Sequence, residues 1–480
     1  MRLSWAPAPT GWQRRSPLPG PASPCASSRG ARRSAGGART EELTLQGFLH
    51  DVCSAVHPLA LSSGFFRRFE LHKRIELVVP PISYAQPLDD GQAGIAWRDL
   101  DRTAESLGVD GPAWRRLFAP LVRHADQIAQ FAGSQILQVP RHPVALLQLG
   151  LRILEQGSVD WGTRFRQDVA PALLTGVFAH AIRRMPSPST AAAGLVLATA
   201  GHARGWPIPV GGSQSIVDAL AADLIAHGGE IVTDTEITDI AELPTATAVL
   251  FDTTPRALSS IAGARLPHSY RRSLDRFRYG GAVAKVDFAL SDPVPWTNPQ
   301  LAGAATLHVG GTRAQMVQAE ADVAAGRDPQ DPYVLVSQPT PFDPSRAPDG
   351  KHVLWAYTHV PKGSTHDRQE AIIAKIERYA PGFRDTILAT ASRTATDIGR
   401  YNPNYIGGDI GAGDVGLGQL IARPVLSPTP WRTPARGIYL CSASTPPGPG
   451  VHGLAGYYGA MDALRRQFGA TSAPHLGVEQ

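Results

Sequence analysis

At 480 residues, 43% of them hydrophobic and 18% charged, the chain is long enough for two or three domains and too apolar for a disordered protein. No apolar run reaches the roughly 18 residues of a membrane-spanning helix; the longest covers residues 191–203. The net charge of +5 sits in residues 1–34, where six arginines meet no acid, and removing those six leaves −1 for the rest, which excludes a nucleic-acid footprint.

Cys25, Cys53 and Cys441 share no metal-type spacing and cannot frame a disulfide scaffold. A reducing, cytoplasmic compartment is the expectation, with at most peripheral membrane contact. Residues 1–34 are rich in Arg, Pro, Ser and Ala without apolar periodicity, so they read as irregular. As a genuine Arg- and Ser-rich transit peptide they would direct the chain to the mitochondrial matrix.

The segment Gly36-Gly37-Ala38-Arg39-Thr40-Glu41-Glu42 comes next. Two glycines and a small residue let a phosphate-bearing ligand approach the backbone, and Arg39 offers a bidentate guanidinium to a diphosphate. Short strand-like runs follow over 48–56 and 74–79. Between 100 and 185 apolar residues recur at three- and four-residue spacing through Trp114, Leu117, Leu121, Ile128 and Phe131, then through Val144, Leu147, Leu151 and Leu154. This predicts an insert of four or five helices, the kind that forms one wall of a ligand cavity.

Trp206-Pro207-Ile208-Pro209-Val210-Gly211-Gly212-Ser213 resets the chain, with Ser213 or Ser215 as the cap of a helix over 216–227. Gly228-Gly229 ends that helix, and strands follow over 230–233 and 246–251. Helix, glycine stop, strand, strand and loop is the grammar of a doubly wound sheet, whose ligands sit at the strand carboxyl ends. Residues 281–290, 333–338 and 352–359 alternate as antiparallel strands, and 367–379 is helical.

A last strand over 437–441 runs into a Gly/Ser/Thr-rich loop, 442–453, and a helix to about 468. That geometry turns backbone N–H groups and a positive helix end toward a ligand, such as the N1–C2=O edge of a flavin, which gathers negative charge on reduction. An ordinary tight strand-to-helix loop is the alternative. His452 lies in this loop and either reaches the ligand or is a solvated loop histidine. The literal G-x-G-x-x-G at Gly411-Ala412-Gly413-Asp414-Val415-Gly416 lacks the strand before it and the long helix after it, so it is set aside. No Ser-His-Asp, H-E-x-x-H or paired-Cys arrangement exists, so chemistry would belong to a bound cofactor.

Taken together, these segments resemble the carotenoid/retinoid oxidoreductase family of FAD-dependent flavoproteins, the phytoene desaturase type. Three stretches carry the resemblance: Gly36-Gly37-Ala38-Arg39-Thr40, Pro209-Val210-Gly211-Gly212, and Tyr439-Leu440-Cys441 leading to Pro447-Gly448-Pro449-Gly450-Val451. Asn402-Pro403-Asn404-Tyr405-Ile406-Gly407-Gly408-Asp409-Ile410 looks like the branch of pyridine nucleotide-disulfide oxidoreductase domain-containing protein 2. The resemblance implies that Gly36, Gly37, Arg39 and Thr40 contact the FAD diphosphate. It implies that the Ile237 backbone meets the adenine side, and that Gly448, Gly450, Val451 and Gly453 lie beside the isoalloxazine.

The family begins with a strand, G-x-G-x-x-G, a helix and a strand ending in an acid, and residues 1–34 show none of these. The genetic code offers a reason. Read one base earlier, the codon spanning Trp5 and Ala6 must be GGC, glycine, and the one spanning Trp12 and Gln13 must be GCA, alanine. Free codon choices elsewhere turn residues 4–29 into an apolar strand, G-x-G-x-x-G, an Ala-rich helix and a second strand. An acid then falls roughly 20 positions after the first glycine. The reading adopted is one insertion or deletion between positions 29 and 35. As printed, the chain is expected to bind FAD weakly or not at all.

The expected fold is α/β: a doubly wound FAD-binding domain (35–98, 207–268 and 425–470) with an α+β substrate domain (99–206 and 269–424) carrying the helical insert, and a tail over 471–480. The expected activity is hydride transfer from a small apolar substrate to flavin, with oxygen, quinone or nicotinamide as acceptor. Two alternatives are an amine-oxidase-like enzyme, with Tyr457-Tyr458 as aromatic partners of the flavin, and a non-catalytic regulator of mitochondrial function that binds a protein partner.

Overall fold

The computed structural model describes residues 36–89 and 91–478, with the backbone of Ala26–Ser28. Six strands precede the helical insert: β1 (Ala26–Ser28), β2 (Thr40–Glu42), β3 (Leu49–Asp51), β4 (Leu77–Val78), β5 (Ile82–Pro87) and β6 (Ala93–Trp97). Nine follow it: β7 (Ile208–Pro209), β8 (Glu230–Val232), β9 (Val249–Phe251), β10 (Ala282–Leu290), β11 (Thr306–Val309), β12 (Val334–Ser337), β13 (His352–Val360), β14 (Ile387–Arg393) and β15 (Ile438–Leu440).

Seven of these strands build one mixed sheet in the order β14-β10-β13-β12-β11-β5-β6, parallel only between β11 and β5. Alternation decides which side chain faces which layer. On β13, Leu354 and Ala356 pack with Ile372, Ile373 and Ile376 of the Gln369–Glu377 helix, whereas Trp355 and Tyr357 join the core beneath the insert. All nine residues of β10 are buried, because both faces of the sheet are covered.

The insert comprises helices Leu100–Ser106, Gly111–Arg123, Ala125–Ala132, Pro143–Gln156 and Val169–Phe178, and a sixth, Pro188–Arg204. The expectation of an insert ending at 185 therefore stops one helix short. Ser187 and Thr190 form a capping box that restarts the helix there, with Pro188 in its first turn. Two strand expectations also shrink. Of 48–56 only Leu49–Asp51 pairs, and 74–79 opens with the end of a helix, Leu71–Arg74, leaving Leu77–Val78. The largest departure concerns Val144, Leu147, Leu151 and Leu154. Their helix forms, but this stripe faces solvent, and Ala145, Leu149 and Gln156 are buried instead.

Two short parallel ladders, β1 with β8 and β9 with β15, stand apart from the large sheet. In the doubly wound order 3-2-1-4-5 such ladders are the pairs 3-2 and 4-5, on either side of the first strand. The expected counterpart of that strand, with its G-x-G-x-x-G turn, falls at positions before Ala26 and lies outside the described residues. Ala26–Ser28 itself departs from the expectation that 1–34 is irregular throughout. Among the described residues no helix is long and apolar enough to cross a membrane.

Candidate functional site

The glycine segments separated in sequence meet in space. Thr40 on β2 donates its hydroxyl to Asp51 Oδ1 at 2.8 Å, and the same oxygen accepts the Ser213 N–H at 2.8 Å. Gly212 has φ +103°, and a Cβ there would lie 2.2 Å from Thr40 Oγ1, so only glycine lets the 209–212 turn close on β2. Arg346, fully buried, donates to Asp51 Oδ2 at 2.7 Å and to the Leu49 carbonyl at 3.2 Å. Ser213 heads the Gln214–Ala226 helix but does not cap it with its side chain. Its hydroxyl instead contacts His57 Nε2 at 2.8 Å, and Ser215 bonds back to the Gly212 carbonyl. Burial holds His57 down at about 4, so it is neutral.

The 442–453 loop docks on the stretch that follows β3. Ser63 donates to the His452 carbonyl at 2.6 Å, and a Cβ on Gly453 would strike the Phe65 ring at 2.1 Å. His452 is not a solvated histidine. It is buried, its Nδ1 accepts the Leu454 N–H at 3.0 Å, and its Nε2 donates to the Gly448 carbonyl at 3.1 Å. Burial lowers its pKa to about 4. The ring thus clips the loop onto the first turn of the Leu454–Phe468 helix. Tyr457 stacks on Phe65 and Tyr458 packs on Trp431, its hydroxyl donating to the Gly133 carbonyl, so this pair serves the core here.

Arg39 is buried, reaches Glu41 at 3.3 Å and lies 5.4 Å from the centre of the Tyr401 ring. No described residue comes within 4 Å of a Cβ added to Gly36, whereas a Cβ on Gly37 would sit 2.0 Å from the Tyr405 hydroxyl. Gly37 is therefore small to admit Tyr405 as well as any ligand. Ile237 lies past β8 and packs with Phe251, Leu258 and Leu440. Gly448 and Gly450 take φ of +107° and +137°, and Val451 packs beside the Phe65 cluster.

Next to Cys53 and Tyr405, which crowd Gly37, a narrow cavity with room for about one water molecule opens where the 36–53 segment meets the large sheet. Cys53, Tyr405, Trp355, Tyr357, Arg393 and Lys285 are among its walls. Lys285 on β10 is the feature that motif reading passed over. It is nearly fully buried and ion-paired with Asp287 two residues on, on the same face of the strand. Its ammonium also lies 5.6 Å from the Trp355 ring centre. Burial pushes the Lys285 ammonium down and the Asp287 carboxyl up, and their mutual attraction opposes both shifts. His50, 3.7 Å from Asp287, is held neutral at about 3 by burial and then by the Lys285 and Arg346 charges. The available signal was two charges inside the otherwise apolar strand Ala-Val-Ala-Lys-Val-Asp-Phe-Ala-Leu.

The donor set suits a flavin dinucleotide. Among the described residues the N–H groups of Gly450, Val451 and Gly453 make no hydrogen bond, and they stand at the amino end of a 15-residue helix. Among the described residues none crowds Gly36, and Arg39 follows three positions on. These residues would hold one side of the group. No cluster among the described residues could hold a metal ion.

The mixed α/β architecture with its large mixed sheet matches the fold of FAD-dependent oxidoreductases. A single-site variant of putrescine oxidase superposes with a TM-score of 0.55 at 13% identity, covering 92% of this chain and 93% of that one. Cyclohexylamine oxidase from Brevibacterium oxydans gives 0.54 at 12% identity over 92% and 93%, and reduced UDP-galactopyranose mutase gives 0.53 at 12% over 94% and 89%. In sequence, the chain is similar to pyridine nucleotide-disulfide oxidoreductase domain-containing protein 2 of Rattus norvegicus, 27% identical over 84% of this chain and 72% of the relative. It also shares 31% identity with 4,4'-diapolycopen-4-al dehydrogenase of Metabacillus indicus, over 26% of each. No protein-family model matches the chain.

Proposed function

We propose that the chain is an FAD-dependent oxidoreductase that dehydrogenates a small apolar substrate beside Lys285. The observation that carries this reading is a buried lysine, Lys285, paired with Asp287 and set in the wall of a narrow aromatic cavity whose Cys53 and Tyr405 also crowd Gly37. Bound FAD would supply the two-electron acceptor. The chain supplies the rest. Trp355, Tyr357 and Tyr405 wall the cavity with aromatic surface, which favours an apolar molecule and limits water. Burial favours the neutral amine of Lys285, and in that form Lys285 Nζ is the group placed to take up the proton released as the substrate is oxidised. Asp287 stabilises the ammonium once formed.

An amine substrate is the second reading, supported by the superposition on two enzymes named as amine oxidases. The Lys285 and Arg393 heads at the cavity wall oppose a cationic amine, so it would have to enter neutral. A regulator without catalysis is the third.

Reconstitution with FAD followed by visible spectroscopy tests the proposal. The expected result is weak, substoichiometric flavin in the chain as printed, with bleaching by an apolar substrate but not by alkylamines. Lys285→Met should then slow bleaching by about 10²-fold or more, the usual weight of a lost acid–base group, without releasing flavin. No flavin spectrum at any FAD concentration would support the regulator instead. Tight stoichiometric FAD would overturn only the expectation of weak binding.

A further inference from the structure

The Pro143–Gln156 helix inverts the usual arrangement of a surface helix. Its exposed side chains are Pro143, Val144, Leu147, Leu151 and Leu154, all apolar. Val144, Leu147, Leu151 and Leu154 expose 55–65% of their surface, and Val139 and Val159 beyond the two ends expose 88% each. A stripe of this kind marks an interaction site, since scattered exposure does not line up along one face.

Three features identify the occupant. The spacing three-four-three is a coiled-coil seam, narrow and made for another helix. The six positions are symmetric about residue 149: Val139 matches Val159, Val144 matches Leu154, and Leu147 matches Leu151. Turned antiparallel, the stripe meets its own copy position for position, which is the condition for a two-fold, isologous contact. Gly150 lies beside the centre. A glycine inside a helix is costly, yet no described residue comes within 4 Å of the side chain it lacks. With Leu147, Leu151 and Leu154 it frames the four-residue hole that receives a knob from a facing helix.

We propose that two copies of the chain pair through this face, their Pro143–Gln156 helices antiparallel about a two-fold axis beside Gly150. Charge agrees: exposed Arg141 precedes the stripe and exposed Asp160 follows it, so the pairing brings Arg141 toward Asp160 of the partner subunit. A lipid surface would call for a broader apolar face with exposed aromatics and a basic rim, and here an acid stands at one end. Two heptads alone make a short seam, and Val139 and Val159 lengthen it at both ends.

Size-exclusion chromatography with light scattering, run over a hundredfold range of protein concentration, tests this. The expected mass is twice the chain mass of 51.1 kDa. Leu147→Glu with Leu151→Glu should halve it, because like charges then oppose across the axis. Leu147→Glu with Leu151→Lys should restore it, because antiparallel pairing sets opposite charges face to face. All these side chains are exposed in the single chain, so circular dichroism should not change. A monomer at every concentration, or a dimer indifferent to the first pair of substitutions, would overturn the proposal. Failure of the second pair to restore the dimer would overturn the antiparallel register. Flotation of the monomer with phosphatidylcholine–phosphatidylglycerol vesicles, lost in the first variant, would assign the face to lipid instead.

Discussion

Two apolar stripes of the helical insert share one period and opposite fates. Trp114, Leu117 and Leu121 are fully buried and Ile128 nearly so, in the core beneath the large sheet. Val144, Leu147, Leu151 and Leu154 repeat the same spacing and stand in solvent. Periodicity specifies a helix and the face that must be covered, but not by what. The first stripe is covered by its own chain. The second is left for something else, and its symmetry about residue 149 is the clue that separates the two.

The contrast is broken most strongly at Trp114. Trp114→Ala should destabilise the protein by about 3–5 kcal/mol in urea unfolding, from lost volume and from the His202 Nε2 that loses its donor at 3.1 Å. A comparable loss, about 3–5 kcal/mol, is expected for Asp51→Ala, which leaves Arg346 buried without its carboxylate. That result would show polar burial on the glycine-segment side to weigh as much as apolar burial under the insert. Leu117→Ala should cost about 2–5 kcal/mol.

His202 sharpens the contrast through pH. It is neutral in the first stripe's core, accepting from Trp114 at Nε2 and contacting the Trp97 carbonyl through Nδ1. Burial lowers its folded pKa from 6.5 to about 4. Because the unfolded chain takes up the proton first, this contribution is complete above pH 6.5. It declines as pH falls toward 4, by up to about 1.4 kcal/mol per pH unit. His202→Gln should flatten the melting temperature over that window, and an unchanged slope would remove His202 as a cause. The smallest effect belongs to the second stripe: Leu147→Ala should change the stability of the single chain by no more than about 0.5 kcal/mol.

Much of the architecture was legible from residues. The alternation of β10 and β13, the Gly228-Gly229 stop and the strand leading into 442–453 all follow local rules, and each element formed within a few positions of its expectation. Lys285 and Asp287 were not legible as a site, because a charge in a strand looks the same whether it meets water or a cavity. Burial of Asp51 against Arg346 depends on a contact across 295 positions, which no local pattern announces. His452 was read as either ligand-facing or solvated. It became a clip because the loop folds back on a glycine carbonyl.

The hydrogen bond from Ser63 to the His452 carbonyl spans 389 positions of chain. A ribosome adding roughly 5–20 residues per second delivers the two ends many seconds apart. Until the last strand and its loop emerge, the segment after β3 has no lid, and no ligand can be gripped from both sides. The contact that the proposed cofactor site needs is therefore made only after residue 452 has emerged, whatever has folded before it. A chain cut short at the 442–453 loop would keep every strand of its large sheet and lose this contact.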